Sequence, residues 1–350
     1  MNPQAQPMFG APVTGGPGFA QAPHMFGQPM PGHGPQMMPI IRPIDQAKID
    51  QDAAGLRKAM KGIGTDEKTI INIVANRTNA QRLEIIDVYE KNINRNLIKD
   101  LKSELSGNLK DAILALFEPL IEYDVDQLNK AIKGIGTNED TLIEIIASRD
   151  ESRLNQIKLK YKEKYEKDLE HVIEKETKGN FKKLLVALLQ GGRSRNMRPD
   201  INDCQLKAKQ LYEAGEGKWG TGSNVFNQIF SLSSKYELCY ICKEYYKLYG
   251  HSVIDAINNN FKGDLKKLLN SIIHAIINPS EYFASRINDA LKGAGTKDTL
   301  LIRTIITRHE IDMPLIKKYY KQLYGKDLVD DIKKDTSGDY RKLLLELVSH

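Results

Sequence analysis

The chain has 350 residues, of which 41% are hydrophobic and 27% charged, with a formal net charge of +6. That composition belongs to a globular protein of two or three domains or one array of repeats, and the mild positive charge suits an acidic surface while being too diffuse for specific nucleic-acid binding. No apolar run approaches the roughly 18–20 residues a spanning helix needs, and three cysteines exclude a disulfide framework.

The first ten residues, MNPQAQPMFG, carry neither a basic leader nor an apolar stretch, so no signal peptide and a cytoplasmic location are expected. Residues 1–41 contain no Lys, Arg, Asp or Glu, yet hold nine of the 14 prolines, six of the nine methionines and seven glycines. A segment that cannot bury a core is expected to be disordered, and the tail is drawn at 1–43. It serves either as a spacer or as an arm for a protein partner or self-association, using stickers such as PMFGAP and HMFGQPMPG.

From about Ile44 the sequence becomes periodic, and self-comparison finds four copies of one pattern. Aligned on Thr65, Thr137, Thr221 and Thr296, the copies are spaced by 72, 84 and 75 residues. After each threonine comes an amphipathic stretch: TIINIVANR, TLIEIIASR, VFNQIFSLS and LLIRTIITR. Each copy ends on GNLKDAILALF, GNFKKLLVALL, GDLKKLLNSII or GDYRKLLLELV. Apolar residues recur at three- and four-residue intervals throughout, which predicts an all-α fold of about five short helices per repeat. The expected boundaries are 44–119, 120–190, 203–278 and 279–350, with Pro119 and Pro279 marking two junctions. A basic connector at 191–202 separates the second repeat from the third, and is expected to divide the core into two halves of two repeats each.

A Gly-x-Gly loop precedes three of the threonines, in KGIGT, KGIGT and KGAGT. One account is local: the first glycine ends a helix in the left-handed region and the threonine caps the next helix. It leaves unexplained a constant register downstream. After 38 intervening residues, Thr65 is followed by Glu104, Thr137 by Glu176 and Thr296 by Asp335, each with glycine three residues on. Calcium chemistry accounts for that register, because Ca²⁺ takes six to eight oxygens mixed from backbone carbonyls, carboxylates and water. The expected ligand sets are Met60, Gly62 and Gly64 with Glu104; Ile132, Gly134 and Gly136 with Glu176; and Leu291, Gly293 and Gly295 with Asp335. One strong anion per site leaves coordination positions open for a lipid phosphate.

The third copy departs from this pattern, with Lys218 at the first glycine position and Asn260 at the carboxylate, so its site is expected to be weak or empty. The arginine twelve residues after the threonine (Arg77, Arg149, Arg308) is Ser233 in that repeat. At the loop tips stand Ile63, Ile135, Trp219 and Ala294, read either as packing residues or as membrane contacts, the indole suiting a headgroup boundary. Lys61, Lys133 and Lys292 flank the loops, as ordinary exposed lysines or as partners for lipid phosphate.

The core resembles the annexin family through this K-G-x-G-T…Asp/Glu arrangement in four repeats. The resemblance implies a slightly curved all-helical disc with its calcium loops on the convex face. It also implies reversible, calcium-dependent binding to anionic phospholipid membranes, peripheral when calcium rises, and secondary calcium sites using Thr65, Glu67, Glu139 and Asp298. A channel between the two halves is a further implication, and a calcium-independent helical-repeat adaptor is the rival from another class. No enzyme is expected: there is no phosphate loop, HExxH or GxSxG, and the histidines are scattered. Cys239 and Cys242 are read as buried thiols on one helix face rather than half a zinc site.

Overall fold

The computed structural model describes residues 44–134, 136–215 and 222–349. The tail calls, Ile135, Lys218, Trp219 and Thr221 therefore lie outside the described residues. Those that are described belong to one compact unit and form twenty α-helices, with no strand among them.

The helices fall into four groups of five. Repeat 1 holds α1 (Gln46–Ala59), α2 (Glu67–Ala75), α3 (Asn79–Ile93), α4 (Leu97–Glu104) and α5 (Gly107–Leu116). Repeat 2 holds α6 (Leu120–Ile132), α7 (Glu139–Ser148), α8 (Glu151–Tyr165), α9 (Leu169–Glu176) and α10 (Gly179–Gln190). Repeat 3 holds α11 (Ile201–Gly215), α12 (Gly222–Leu232), α13 (Lys235–Tyr249), α14 (Val253–Asn260) and α15 (Gly263–Ile277). Repeat 4 holds α16 (Pro279–Leu291), α17 (Asp298–Arg308), α18 (Met313–Tyr324), α19 (Leu328–Asp335) and α20 (Gly338–Ser349).

Local chemistry sets the helix ends. Thr78 with Gln81, Ser234 with Glu237 and Ser252 with Asp255 form reciprocal capping boxes at the starts of α3, α13 and α14. The third helix of every repeat stops on a left-handed residue, Asn94, Glu166, Gly250 or Gly325. Pro119 directly precedes α6 and Pro279 opens α16, where a missing N–H costs nothing.

The packing of repeats corrects one expectation from the sequence. Helices α2 and α5 of repeat 1 pack on α17 and α20 of repeat 4, while α7 and α10 of repeat 2 pack on α12 and α15 of repeat 3. The packed pairs are therefore repeats 1 with 4 and 2 with 3, and the connector joins two repeats that share a core instead of dividing the fold. Repeats 1 and 4 form a continuous apolar cluster that includes Ile70, Val74, Ile113, Leu301, Ile305 and Leu344. The clasp at their edge is polar: Glu310 Oε1 accepts from Arg82 Nη2 at 2.6 Å and from Asn79 N at 2.8 Å.

The recurring arginine has a structural task. Arg77 grips Asp52 at 2.6 and 3.1 Å, and Arg149 grips Asp124 at 2.9 and 2.8 Å, each acid lying 25 residues earlier. Burial raises the cost of charge on Asp124, but Arg149 and Arg153 hold its carboxyl below the ordinary value. In repeat 4 the earlier position is Phe283, and Arg308 stacks over that ring at 4.4 Å while binding Asp312. Repeat 3 has Ala208 and Ser233 there, so neither partner is present. Arg193 of the connector lies against that helix end instead, donating to Phe230 O at 2.9 Å and Ser233 O at 3.3 Å.

Between the two packed pairs, Arg303 of α17 donates to both oxygens of Glu144 of α7, at 2.9 and 3.0 Å. Both side chains are buried, and Arg286 approaches the same carboxylate at 3.4 Å. Burial opposes ionisation of Glu144, yet these guanidiniums keep its pKa lowered.

Candidate functional site

Each Gly-x-Gly loop begins where a helix runs out of partners. Met60 follows α1 directly, Ile132 ends α6 and Leu291 ends α16, so their carbonyls are among the last of a helix and lack an intrahelical donor. The helix dipole also makes such an end attractive to a cation. Both glycines of each loop then take positive φ: 118° and 86° at Gly62 and Gly64, 139° and 87° at Gly134 and Gly136, 107° and 90° at Gly293 and Gly295. An added Cβ would meet nothing within 4 Å at any of the six, so glycine is required by conformation and not by crowding.

A backbone hydrogen bond closes each loop in the same way. Asp66 N donates to Ala59 O at 2.9 Å, Asn138 N to Ala131 O at 2.8 Å and Lys297 N to Ala290 O at 2.9 Å. The local capping account fails at this point. The threonine does not cap the following helix; Asp66 and Asn138 do so, accepting from Thr69 N and Thr141 N at 3.0 Å each. The threonine hydroxyl is instead turned across the repeat. Thr65 Oγ1 donates to Glu104 Oε2 at 2.8 Å, Thr137 Oγ1 to Glu176 O at 3.2 Å and Thr296 Oγ1 to Asp335 O at 2.8 Å. Three times, the structure brings together a glycine loop and an acid 39 residues later.

The rim of these loops is open to solvent. Ile63 is the most exposed large apolar side chain described, at 109% of its reference area, and Ala294 is exposed with it. Lys61 is exposed, Lys133 places its ammonium 5.1 Å from the Tyr165 ring centre, and Lys292 pairs with Asp289. Glu67, Glu139 and Asp298 are the first residues of α2, α7 and α17, beside their loops and half-buried.

Repeat 3 is built differently. Asn260 turns its amide back on its own helix, donating to Ala256 O at 2.8 Å. Gly222 occupies the position of Asp66 and Asn138, where a side chain would collide with Ala214 O. Cys242 is buried and Cys239 partly so, and burial pushes the Cys239 thiol up to about 11, which suits inert packing.

Among the described residues no three His, Cys, Asp or Glu side chains gather as a metal cluster. The donor set fits a hard ion such as calcium: helix-end and glycine carbonyls, one carboxylate and no nitrogen or sulfur.

The family model for annexins matches residues 51–116, 123–188, 207–272 and 282–347. Annexin A11 of Homo sapiens is 42% identical over 297 residues, covering 85% of this chain and 59% of that protein. Annexin A4 of Bos taurus is 44% identical over 297 residues, covering 85% of this chain and 93% of its own. The chain thus spans about three-fifths of annexin A11 and nearly all of annexin A4. Among solved structures, annexin III superposes with a TM-score of 0.85 at 37% identity, covering 88% of this chain and 96% of that one.

Proposed function

Since the chain belongs to the annexin family, whose members are non-enzymatic and bind phospholipid in response to calcium, we propose that it attaches to anionic phospholipid membranes through the loops of repeats 1, 2 and 4. The observation that carries this reading is the threonine-to-acid contact across 39 residues, repeated at three loops whose glycines all hold positive φ. Met60, Gly62, Gly64 and Glu104 hold the first ion, Ile132, Gly134, Gly136 and Glu176 the second, and Leu291, Gly293, Gly295 and Asp335 the third. Bound calcium supplies positive charge with coordination positions left for lipid phosphate.

The chain's own residues do the rest. The loop closures set the backbone before an ion arrives, and the acid completes the charge. Exposed Ile63 and Ala294, with Ile135, enter the headgroup layer beside Lys61, Lys133 and Lys292. Glu67, Glu139 and Asp298 take a second, weaker ion with threonine hydroxyls such as that of Thr65. Repeat 3 contributes no ion of its own. The loops share one convex face of a curved disc, attachment is peripheral and reversible from the cytoplasm, and residues 1–43 supply a partner-binding or self-association arm.

Among the described residues no helix is long and apolar enough to cross a membrane, so the channel reading has no spanning element to support it. The adaptor reading leaves the three acids at constant register without a purpose. Co-sedimentation with anionic vesicles across a calcium titration tests the proposal: attachment that rises with calcium and reverses on chelation is expected. Equal attachment to neutral and anionic vesicles, unaffected by chelator, would remove it.

A further inference from the structure

A groove of about 600 Å³ runs between α11 and α12 of repeat 3 and shares no residue with the calcium sets. Gln210 and Ala214 line one wall, Val225, Ile229 and Leu232 the other, and Ser233 stands at the end where α12 stops. Val225, Ile229 and Leu232 follow helical spacing, so one aliphatic face extends for about 10 Å. The volume lies within the roughly 300–1,000 Å³ of small-ligand sites, whose walls are mostly apolar with a few placed polar groups. Ser233 replaces the recurring arginine, and Ala208 the acid it would grip, so this end lacks the ion pair that ties α1 to α2 and α6 to α7. Its side chain is 2% exposed, and Oγ has no hydrogen-bond partner among the described residues. The backbone of Ser233 is occupied: N donates to Ile229 O at 3.1 Å, and O accepts from Arg193. Elsewhere such hydroxyls turn back on their own helices, Ser148 on Glu144 O and Thr307 on Arg303 O. A buried hydroxyl left unpaired is costly, so a serine at this place implies a partner.

We propose that this groove binds an uncharged amphiphilic small molecule, an aliphatic body ending in a hydroxyl or carboxamide. The polar end pairs with Ser233 Oγ, and the body lies along Val225, Ile229 and Leu232. Charge selects the class. Lys207 is the one cation in the lining, and Asp203 at 2.7 Å and Glu237 at 3.6 Å already hold it. An anionic head meets those two acids together with the lysine, and a cationic head finds both acids shared with Lys207. A neutral head gives up less hydration and asks only for the hydrogen bond that Ser233 lacks. Leu206, one turn before Gln210 on α11, is 55% exposed and Leu232 46%, so apolar surface continues from the groove to its mouth.

Methyl NMR of the full chain, read at Val225, Ile229 and Leu232 with chelator present, tests this with 1-octanol, octanoate and octylammonium. The three probes share one body and differ in the head. Octanol is expected to shift those methyls saturably and to bind about tenfold or more tightly than either ion, since a charged head must shed its water. Ser233→Ala should weaken octanol about two- to tenfold, the worth of one hydrogen bond, and leave the thermal midpoint equal or higher because the unpaired hydroxyl is gone. Leu232→Glu, at an exposed position, should weaken octanol while calcium-dependent sedimentation with vesicles stays as in wild type. No saturable shift up to the solubility of octanol overturns the proposal. Equal binding of the three probes overturns it too, as does equal binding of octanol to wild type and Ser233→Ala. Methyl shifts that follow dilution of the chain without any probe would place a second copy in the groove, which also overturns it.

Discussion

Thr65 Oγ1 donates to Glu104 Oε2 at 2.8 Å, whereas Thr137 and Thr296 reach only the backbone oxygens of Glu176 and Asp335. The first loop therefore has its carboxylate positioned by its own threonine, and the other two are tethered through the main chain. Changing Glu104, Glu176 and Asp335 together to their amides should raise the calcium needed for vesicle binding by about tenfold or more, since the proposed charged ligand of each site is lost. Circular dichroism should show unchanged helix content, because all three side chains lie at the ends of helices. Unaltered calcium dependence in the triple variant would show that these acids are not ligands. Thr65→Val should give a smaller shift, about twofold, confined to the first loop's contribution.

The single tryptophan reports on the third loop. Asn260 is tied back to Ala256 O and stands where the other repeats have Glu104, Glu176 and Asp335, and Lys218 stands at the first glycine position. Trp219 emission should shift little when the wild-type chain meets anionic vesicles with calcium. Asn260→Glu should produce a clear blue shift under the same conditions. A full shift in wild type, unchanged by the substitution, would mean that the loops insert as one rigid face.

Breaking the Glu144–Arg303 pair should be costly. Arg303→Met leaves a buried carboxylate with Arg286 alone at 3.4 Å, and removal of one member of a buried pair typically costs about 3–5 kcal/mol. Adding Glu144→Gln should recover part of that loss, because the uncompensated charge is then gone. Denaturant unfolding of the single and double variants gives the comparison, and an equal loss in both would show that packing, not charge, is responsible.

Acid should weaken the fold through His274. Burial lowers its pKa from 6.5 to about 4, so the folded chain holds its imidazole neutral while the unfolded chain protonates it. The sign follows: this contribution is complete above pH 6.5 and is lost as pH falls toward 4, up to about 3 kcal/mol. His309 shifts in the same direction, chiefly by burial. Glu118 opposes them, since burial and the neighbouring Asp126 push its carboxyl up to about 7. Unfolding free energy followed from pH 7 to 4.5 should decline less steeply in His274→Asn than in wild type.

The repeat pattern carried most of this in the sequence. Helix number and type follow from apolar periodicity, which depends on local backbone geometry alone, and the Thr-to-acid register survived because each repeat must bring the same two loops together. Repeat pairing was not legible: four similar amphipathic units offer similar faces, and connector length says nothing about which face meets which. Arg77, Arg149 and Arg308 stood out as a recurring position, but their role emerged only with Asp52, Asp124 and Phe283 in contact. The substitute for the missing arginine, Arg193, lay in a segment whose glycines and charges read as a tether. The Lys267–Asp140 pair across repeats 2 and 3 was hidden by distance along the chain, its members lying 127 residues apart.

The joining of repeat 1 to repeat 4 also imposes an order on synthesis. Repeats 2 and 3 are consecutive and can bury their shared face as soon as α15 leaves the ribosome. Repeat 1 is made first, yet α2 and α5 wait for α17 and α20, with Ile70 and Ile113 among the residues that wait. The earliest part of the nascent core thus completes last, and its apolar surface is exposed to chaperones or to other chains for the whole interval.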